Sequence, residues 1–368
     1  MCLHLEAKTA VLSEVFLKAG AEVAITGSNP LTTQDDVAAA LSETGVHVYA
    51  WRGVTDSEHK ANLDRVLGLK PDILIDDGAE LVVATHLKGK RFVENIFGAC
   101  EETTTGITRL RAMEKEGRLK FPVIAVNDAL TKHLFDSRYG TGQSALEGIM
   151  RATNLLLAGR CVVVAGFGWV GRGVALRAKG MGSRVIVTEV DPVRALEALM
   201  EGFDVMPMAE AAEIGDLFIT ATGNTDVVTA AHLSHMKDKA ILCNVGHYDV
   251  EVKVKDLEKI AVGRKKVRPE VTEYRLKSGK RLYLLSDGRL VNLAAADGHP
   301  AEVMDMSFAG QALSAEYLLG HGSKLESKLI RVPEELDLQI ARWRLEEFGK
   351  RIDSLTRVQK NYARSWRL

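Results

Sequence analysis

Gly166, Gly168 and Gly171 stand in the spacing G-x-G-x-x-G, and the acidic Glu189 follows about 20 residues on, the set of residue types that holds a dinucleotide. The first glycine allows a tight turn. The second lets the backbone approach a pyrophosphate, and the third lets a helix sit against the preceding strand. A helix that begins there offers its free N–H groups to the phosphates. A carboxylate at Glu189 accepts from a ribose 2′-hydroxyl and repels a 2′-phosphate, so the expected cofactor is NAD rather than NADP.

These residues need a strand, a turn, a helix and a second strand to position them. The apolar run at 162–165 reads as the first strand and 185–188 as the second, with Glu189 at its end. Before the glycines, further strands are expected at 21–26, 47–50, 72–75 and 122–126, with helices at 8–19 and 34–43. After them come strands at 217–220, 241–244 and 282–285. Strands that alternate with helices imply a parallel, doubly wound α/β architecture, in which ligands bind beyond the carboxyl ends of the strands. Several of the early strands end in polar residues, among them Asp76, Asp77, Asn127 and Asp128, as such a site requires. The glycine motif begins far into the chain, so the cofactor domain is inserted in, or appended to, another domain. Residues 301–345 read as helical, with no strand of their own, and are free to pack back on the first domain. Met1 to His4 lead straight into the first helix, so either the sheet lacks the strand that should seat that helix or the chain begins too late, and the chain is expected to be poorly stable.

The chain has 368 residues, 46% of them apolar, enough for roughly two domains with ordinary cores. A net charge of −1 gives no footprint for nucleic acid or an anionic membrane. The basic stretch from Arg357 to Arg367 reads as a solvated helix face. Cys2, Cys100, Cys161 and Cys243 are scattered, with no C-x-x-C pair and no zinc-ligand spacing, so no metal is expected and the thiols should be reduced. No apolar run approaches about 18 residues and no signal peptide is visible, so a cytoplasmic protein is expected.

Against this frame the motifs resemble S-adenosylhomocysteine hydrolase over nearly the whole length. The resemblance rests on Cys2-Leu-His4 with Thr9-Ala10, on Ser28-Asn-Pro-Leu-Thr-Thr-Gln-Asp35, on Asp76-Asp-Gly78, and on Glu101-Glu-Thr-Thr-Thr-Gly106. It continues through Asn127-Asp128, Lys132, Phe135-Asp136 and Tyr139-Gly140, then the glycine motif and Thr188-Glu-Val-Asp-Pro192. Ala221-Thr-Gly-Asn224, Asn244-Val-Gly-His247, Gly288-Arg-Leu-Val-Asn292 and Gly298-His-Pro300 complete it. It implies two doubly wound, Rossmann-like domains, with the NAD domain at 141–298 inserted in a split substrate domain at 1–140 and 299–345, and a helical tail at 346–368. It also implies a homotetramer acting on a small molecule, with NAD bound and regenerated in every turnover.

The implied reaction is the reversible hydrolysis of S-adenosyl-L-homocysteine to adenosine and homocysteine through a transient 3′-ketone, which acidifies the C4′ proton so that the thiol can leave. By resemblance Lys132, with Asp136 and Glu102, holds and deprotonates the 3′-hydroxyl, which requires a lysine pKa lowered toward the working pH. Asp77 and His4 serve proton transfer around C4′ and C5′, His247 sits by the sulfur and the incoming water, and His299 contacts the homocysteine part and the hinge. Thr103, Thr104 and Thr105 contact NAD, Val245, Gly246, His247 and Asn292 lie near the nicotinamide, and Glu189 holds the adenosine ribose.

The chain also departs from that pattern. Glu6 and Lys8 occupy the positions that read the purine edge, where Glu and Thr are common. A lysine suits the 6-oxygen of hypoxanthine, so S-inosyl-L-homocysteine is the alternative substrate. Ser137 replaces an Asn beside Lys132 and the nicotinamide, Thr141 replaces a Cys, and Arg194 stands where an Asn often touches the ribose. The family's Lys- and Tyr-bearing C-terminal tail is not matched, which leads to an expectation of weaker NAD retention. A catalytically silent NAD-binding homologue and an ordinary NAD dehydrogenase are the readings from other classes.

Overall fold

The computed structural model describes residues 1–366; Arg367 and Leu368, the end of the basic tail, lie outside the described residues. The early strands are β1 Cys2–Leu3, β2 Ala24–Gly27, β3 His47–Tyr49, β4 Ile73–Asp76, β5 Gly98–Glu101 and β6 Val123–Ala125. The later ones are β7 Cys161–Ala165, β8 Arg184–Thr188, β9 Asp204–Val205, β10 Leu217–Thr220, β11 Ala240–Asn244, β12 Ala261–Arg268, β13 Val271–Leu276, β14 Arg281–Leu285 and β15 Leu329–Arg331. They form a seven-stranded sheet in the order β15-β6-β5-β4-β1-β2-β3 and an eight-stranded sheet in the order β12-β13-β14-β11-β10-β7-β8-β9.

The first sheet is parallel throughout. Its strands are buried on both faces, and successive side chains alternate between two cores. Leu3, Ile25, Ile75, Cys100 and Ile124 point to one core, and Cys2, Leu74, Ala99 and Val123 to the other. Helices cover both faces, which is why these strands read as short continuous apolar runs. The second sheet is parallel from β14 to β9 and ends in the antiparallel strands β13 and β12. Val162 and Val164 face one core there, and Val163 faces the other.

Two expectations need correction. The strand expected to be missing in front of the helix Ala7–Lys18 is present: Cys2–Leu3 pairs in parallel with β2 on one side and β4 on the other, in the interior of its sheet. Two residues suffice because both edges are paired and Cys2 is fully buried. Residues 301–345 do contain a strand, since β15 pairs with β6 and closes one edge of the first sheet. The doubly wound, parallel-dominated architecture is as expected, with β12 and β13 adding an antiparallel hairpin at one edge of the second sheet.

The helix Ala301–His321 carries the chain back from the second sheet onto the first. Leu318 on it is fully buried beside Ile75, Cys100 and Ile124, and a Cβ at Gly98 would come within 2.6 Å of its side chain. Gly98 therefore lets this long helix approach β5.

Each sheet reverses its winding direction beside a central strand, between β1 and β4 in the first and between β7 and β10 in the second. In an open α/β sheet the crevice at that reversal is the ligand position. We expect Leu318→Ala to cost about 2–5 kcal/mol through the cavity it leaves, read as a fall in the denaturant midpoint. An unchanged midpoint would show that this helix does not anchor the first sheet.

Candidate active site

Residues singled out from the sequence follow the strand ends. His4 follows β1, Asp77 follows β4, Glu102 follows β5, Gly166 follows β7, Glu189 follows β8 and Val245 follows β11. They meet in one cavity of about 870 Å³ between the two sheets. Every site residue named from the sequence lines it except Gly171. That glycine packs behind the turn, where a Cβ would lie 1.9 Å from the Gly166 carbonyl oxygen.

One cluster centres on Asp77. The buried carboxylate accepts from Ser28 Oγ at 2.9 Å and has His4 Nε2 at 3.1 Å, both from the first lobe. From the second lobe His247 Nδ1 lies 3.5 Å away. His4 Nδ1 is held by Thr32 Oγ1 at 2.8 Å. Burial pushes the His4 pKa down to about 4, with His247 and His299 adding to the fall and Asp77 opposing it, so the imidazole is neutral at physiological pH. Gly78 makes the approach of His247 possible. Its φ is +87°, and a Cβ there would stand 2.6 Å from His247 Nε2.

The turn that bears Asp77 is held from below by Glu101, a fully buried carboxylate that accepts from the backbone N–H groups of Gly78, Ala79 and Thr103, each at 2.9 Å, and from Thr103 Oγ1 at 2.7 Å. Thr103, which the resemblance points at NAD, has its hydroxyl engaged there and in capping the helix Thr104–Lys115 through Gly106 N.

The other cluster centres on Lys132, buried at the end of a short helical turn. Its ammonium lies 3.4 Å from Asp136 Oδ2, 3.5 Å from Glu102 Oε1 and 3.4 Å from Ser137 Oγ. Residues 133–140 form a wide π-helical segment, a form that tends to mark functional sites, and it supplies Asp136 and Ser137. Ser307 Oγ donates to Asp136 Oδ2 at 2.6 Å and Gln311 donates to Glu102 Oε2, both from the returning helix. His299 Nδ1 lies 2.6 Å from Asp136 Oδ1 and its Nε2 meets Thr141 Oγ1 at 3.0 Å, so His299 belongs with this cluster and not with Asp77.

The lysine pKa expected from sequence is corrected here. Burial alone would lower it, but Asp136 and then Glu102 outweigh burial and hold it above the ordinary lysine value. Lys132 is therefore an ammonium ion. The group that titrates near neutral pH is Glu102, pushed up to about 8 chiefly by burial, with Lys132 pulling the other way.

At the glycine turn, Gly166 has φ +92° and a Cβ there would lie 2.8 Å from the Ala221 carbonyl oxygen. The helix Trp169–Gly180 begins at the turn. Glu189 accepts from Phe167 N at 2.6 Å, which ties the turn to the end of β8. Asn292 Oδ1 is buried and makes no hydrogen bond among the described residues, so it is free to accept from a carboxamide. The cradle and this free acceptor fit a dinucleotide that ends in nicotinamide.

At the far end, Glu6 caps the first helix. It accepts from Lys8 N at 3.0 Å, from Thr9 N at 3.3 Å and from Thr9 Oγ1 at 3.3 Å, and pairs with Lys8 Nζ at 2.6 Å. Lys8 also donates across the lobes to the Asp297 carbonyl oxygen at 2.8 Å. Beside His247, Tyr248 from the second lobe donates to Glu80 at 2.7 Å and accepts from Arg109 at 2.8 Å, both of the first lobe. Sequence reasoning missed Ser307, Gln311, Glu101 and the Tyr248 contact. The four-residue step from Ser307 to Gln311, which puts both on one helix face, was the available signal for those two.

Comparison with known proteins gives a consistent result. Residues 1–92 match the family model described as S-adenosyl-L-homocysteine hydrolase, and residues 137–298 match that described as S-adenosyl-L-homocysteine hydrolase, NAD binding domain. An S-inosyl-L-homocysteine hydrolase of Methanocaldococcus jannaschii is 62% identical over 367 residues, covering 100% of this chain and 88% of that protein. An adenosylhomocysteinase of Archaeoglobus fulgidus is 59% identical, covering 100% of this chain and 90% of its own length. An adenosylhomocysteinase of Aquifex aeolicus is 56% identical, with 100% and 88% covered. Among solved structures, a dipicolinate synthase chain from Bacillus halodurans shares the fold, with a TM-score of 0.50 at 14% identity over 87% of this chain and 97% of that one. No helix among the described residues is long and apolar enough to cross a membrane.

The depressed His4 pKa has a stability consequence. Between pH 4 and the ordinary histidine value of 6.5 the unfolded chain binds a proton at this site that the folded chain does not, so stability rises with pH across that window and is lost as pH falls through it. Melting temperatures of wild type and His4→Asn should therefore diverge, with the variant showing the flatter profile from pH 6.5 to 4. Parallel profiles would contradict a neutral buried His4.

Proposed function

The chain belongs to the S-adenosyl-L-homocysteine hydrolase family, and from that premise we propose that it hydrolyses S-adenosyl-L-homocysteine reversibly to adenosine and homocysteine through a transient 3′-ketone. It is a hydrolase of the adenosylhomocysteinase type and its cofactor is NAD. The observation that carries the mechanistic reading is the pair of separate proton-handling clusters on one cavity, Lys132 with Asp136 and Glu102, and Asp77 with His4 and His247. A simple dehydrogenase needs only one of them.

NAD, when bound, supplies reversible hydride transfer at C3′. Lys132, fixed as an ammonium by Asp136, stabilises the negative charge that develops on the 3′-oxygen. Glu102, with a pKa near the working pH, takes the hydroxyl proton and returns it at the end. Asp77 and the neutral His4 remove the acidified C4′ proton and restore it. His247, arriving from the second lobe, handles the proton of the departing sulfur and of the incoming water. Asn292 and the Val245–Gly246–His247 turn hold the nicotinamide, and Glu189 holds the adenosine ribose.

The same reading assigns residues 1–140 and 299–345 to substrate and 141–298 to the cofactor. It is supported by β15 joining the first sheet and by Ser307 and Gln311 reaching the acids of the first lobe.

The purine would be read by the Glu6–Lys8 pair. Adenine presents an acceptor at N1 and a donor at its amino group, which match Lys8 and Glu6. A second reading, S-inosyl-L-homocysteine, is favoured by a specific observation. Glu6 already accepts from Lys8 N, Thr9 N, Thr9 Oγ1 and Lys8 Nζ, which leaves the Lys8 ammonium as the freer group and suits the hypoxanthine 6-oxygen.

Two measurements test this. Free thiol released from S-adenosyl-L-homocysteine, without net NADH, is the expected product of turnover, and Lys132→Met should lower kcat by about 10²–10³-fold at unchanged NAD content. Full turnover in that variant, or thiol release in step with NADH accumulation, would overturn the mechanism. For the base, Lys8→Glu should raise the adenosyl-to-inosyl ratio of kcat/KM by about tenfold or more. A wild type faster on the inosyl substrate selects the second reading, and a ratio unmoved by the substitution shows that this pair does not read the purine.

A further inference from the structure

We propose that Asp337 is a positioning residue for the reaction: lying outside the cavity, it fixes the turn that bears Lys132. Its part in turnover rests on the role given to Lys132 above.

Lys132 closes a helical turn of three residues, Leu130–Lys132. A helical piece that short has no stability of its own. Its N-cap is Ala129, whose side chain offers no acceptor to the first N–H groups. The Leu130 side chain is exposed, so apolar packing does not anchor the start of the turn. The residues that follow, 133–140, carry Asp136 and Ser137, so any displacement of the turn passes to the whole cluster.

The acceptor comes from 206 residues further along the chain. Asp337 Oδ2 accepts from Leu130 N at 2.7 Å, and Oδ1 accepts from Thr131 N at 3.0 Å and from Thr131 Oγ1. Bonds to a charged acceptor are the strong kind, and two successive N–H groups on two oxygens leave the turn little freedom.

Asp337 belongs to the helix Glu334–Glu347. Glu334 and Glu335 in the same first turn are exposed, whereas Asp337, Ile340 and Arg344 are buried on one face. Ile340 lies against Gly310 of the returning helix, the helix that supplies Ser307 to Asp136 and Gln311 to Glu102. One packed pair of helices therefore sets the two acids and the lysine turn together. A carboxylate buried only to dock a helix would carry a desolvation cost that an apolar residue avoids.

The geometry it guards has little slack. The Lys132 ammonium stands 3.4 Å from Asp136 and 3.5 Å from Glu102, and a shift of about 1 Å, enough to cost about 10²-fold in rate, would take it out of reach. Glu102 would register that shift. Burial raises its pKa most, Lys132 opposes the rise, Asp136 and Asp77 add to it, and Gln311 opposes it.

The test is Asp337→Asn, which keeps the shape but sets an NH₂ group against one of the two N–H donors. In the NAD-loaded protein, kcat for thiol release should fall about 10–100-fold with KM and NAD content unchanged. The Glu102 carboxyl ¹³C resonance should titrate at higher pH than in wild type, and the acid limb of kcat should move up with it. Thr131→Val removes one bond and keeps the backbone pair. It should move both readouts the same way by less, and it stands in if Asp337→Asn fails to fold. An unchanged kcat, or one that falls equally at every pH while the Glu102 resonance stays in place, would overturn the proposal. A wild type that releases no thiol would count against the proposed function, and the Glu102 titration would still read whether Asp337 holds Lys132.

Discussion

Charge buried between two lobes is the constraint on which this molecule depends. Asp77, Lys132 and Asp136 are 2%, 7% and 1% exposed, and isolated charges that deep in a protein would neutralise or destabilise the fold. Each is instead met by partners from separate parts of the chain. Asp136 answers Lys132, and Ser307 and Gln311 from the returning helix satisfy Asp136 and Glu102. Asp77 is answered by Ser28 and His4 within its own lobe and approached by His247 from the other. The site is therefore complete only when the chain has crossed to the second sheet and come back.

That constraint explains Gly78, which admits His247 into a space that a Cβ would fill. Gly166, turning sharply against Ala221, and Gly171, seating a helix on the turn, are packed as closely for the cofactor turn. Contacts across the lobes follow the same logic. Lys8 reaches Asp297, and Tyr248 joins Glu80 and Arg109 next to His247, so the edge of the cavity is closed by polar contacts, which can open at lower cost than an apolar seam.

Much of this was legible in the sequence. Strands β7, β8, β10 and β11 are apolar runs bounded by turn residues, and the glycine spacing with Glu189 gave the dinucleotide cradle directly. Other elements were hidden for physical reasons. β1 has two residues and β15 three, too short to show a period, and both are strands only because their neighbours pair with them. β5, Gly-Ala-Cys-Glu, lacks the branched residues that mark a strand, and the charged β12 reads as surface. Which residues line the cavity could be read by resemblance, but their charge states could not. Lys132 was expected to be a lowered-pKa base, and the carboxylates that folding brings to it make it an ammonium and leave Glu102 as the titrating group.

The central claim is that hydrogen leaves C3′ of the sugar, waits on the enzyme and returns to the same carbon while the C4′ proton is exchanged by Asp77 and His4. Substrate labelled with deuterium at C3′ and incubated in ordinary water tests this directly, with a parallel run of unlabelled substrate in D₂O. The account predicts that the nucleoside product keeps the C3′ label in the first run and gains deuterium at C4′ in the second. Label washed out of C3′, or a C4′ position that never exchanges while thiol is released, would contradict it.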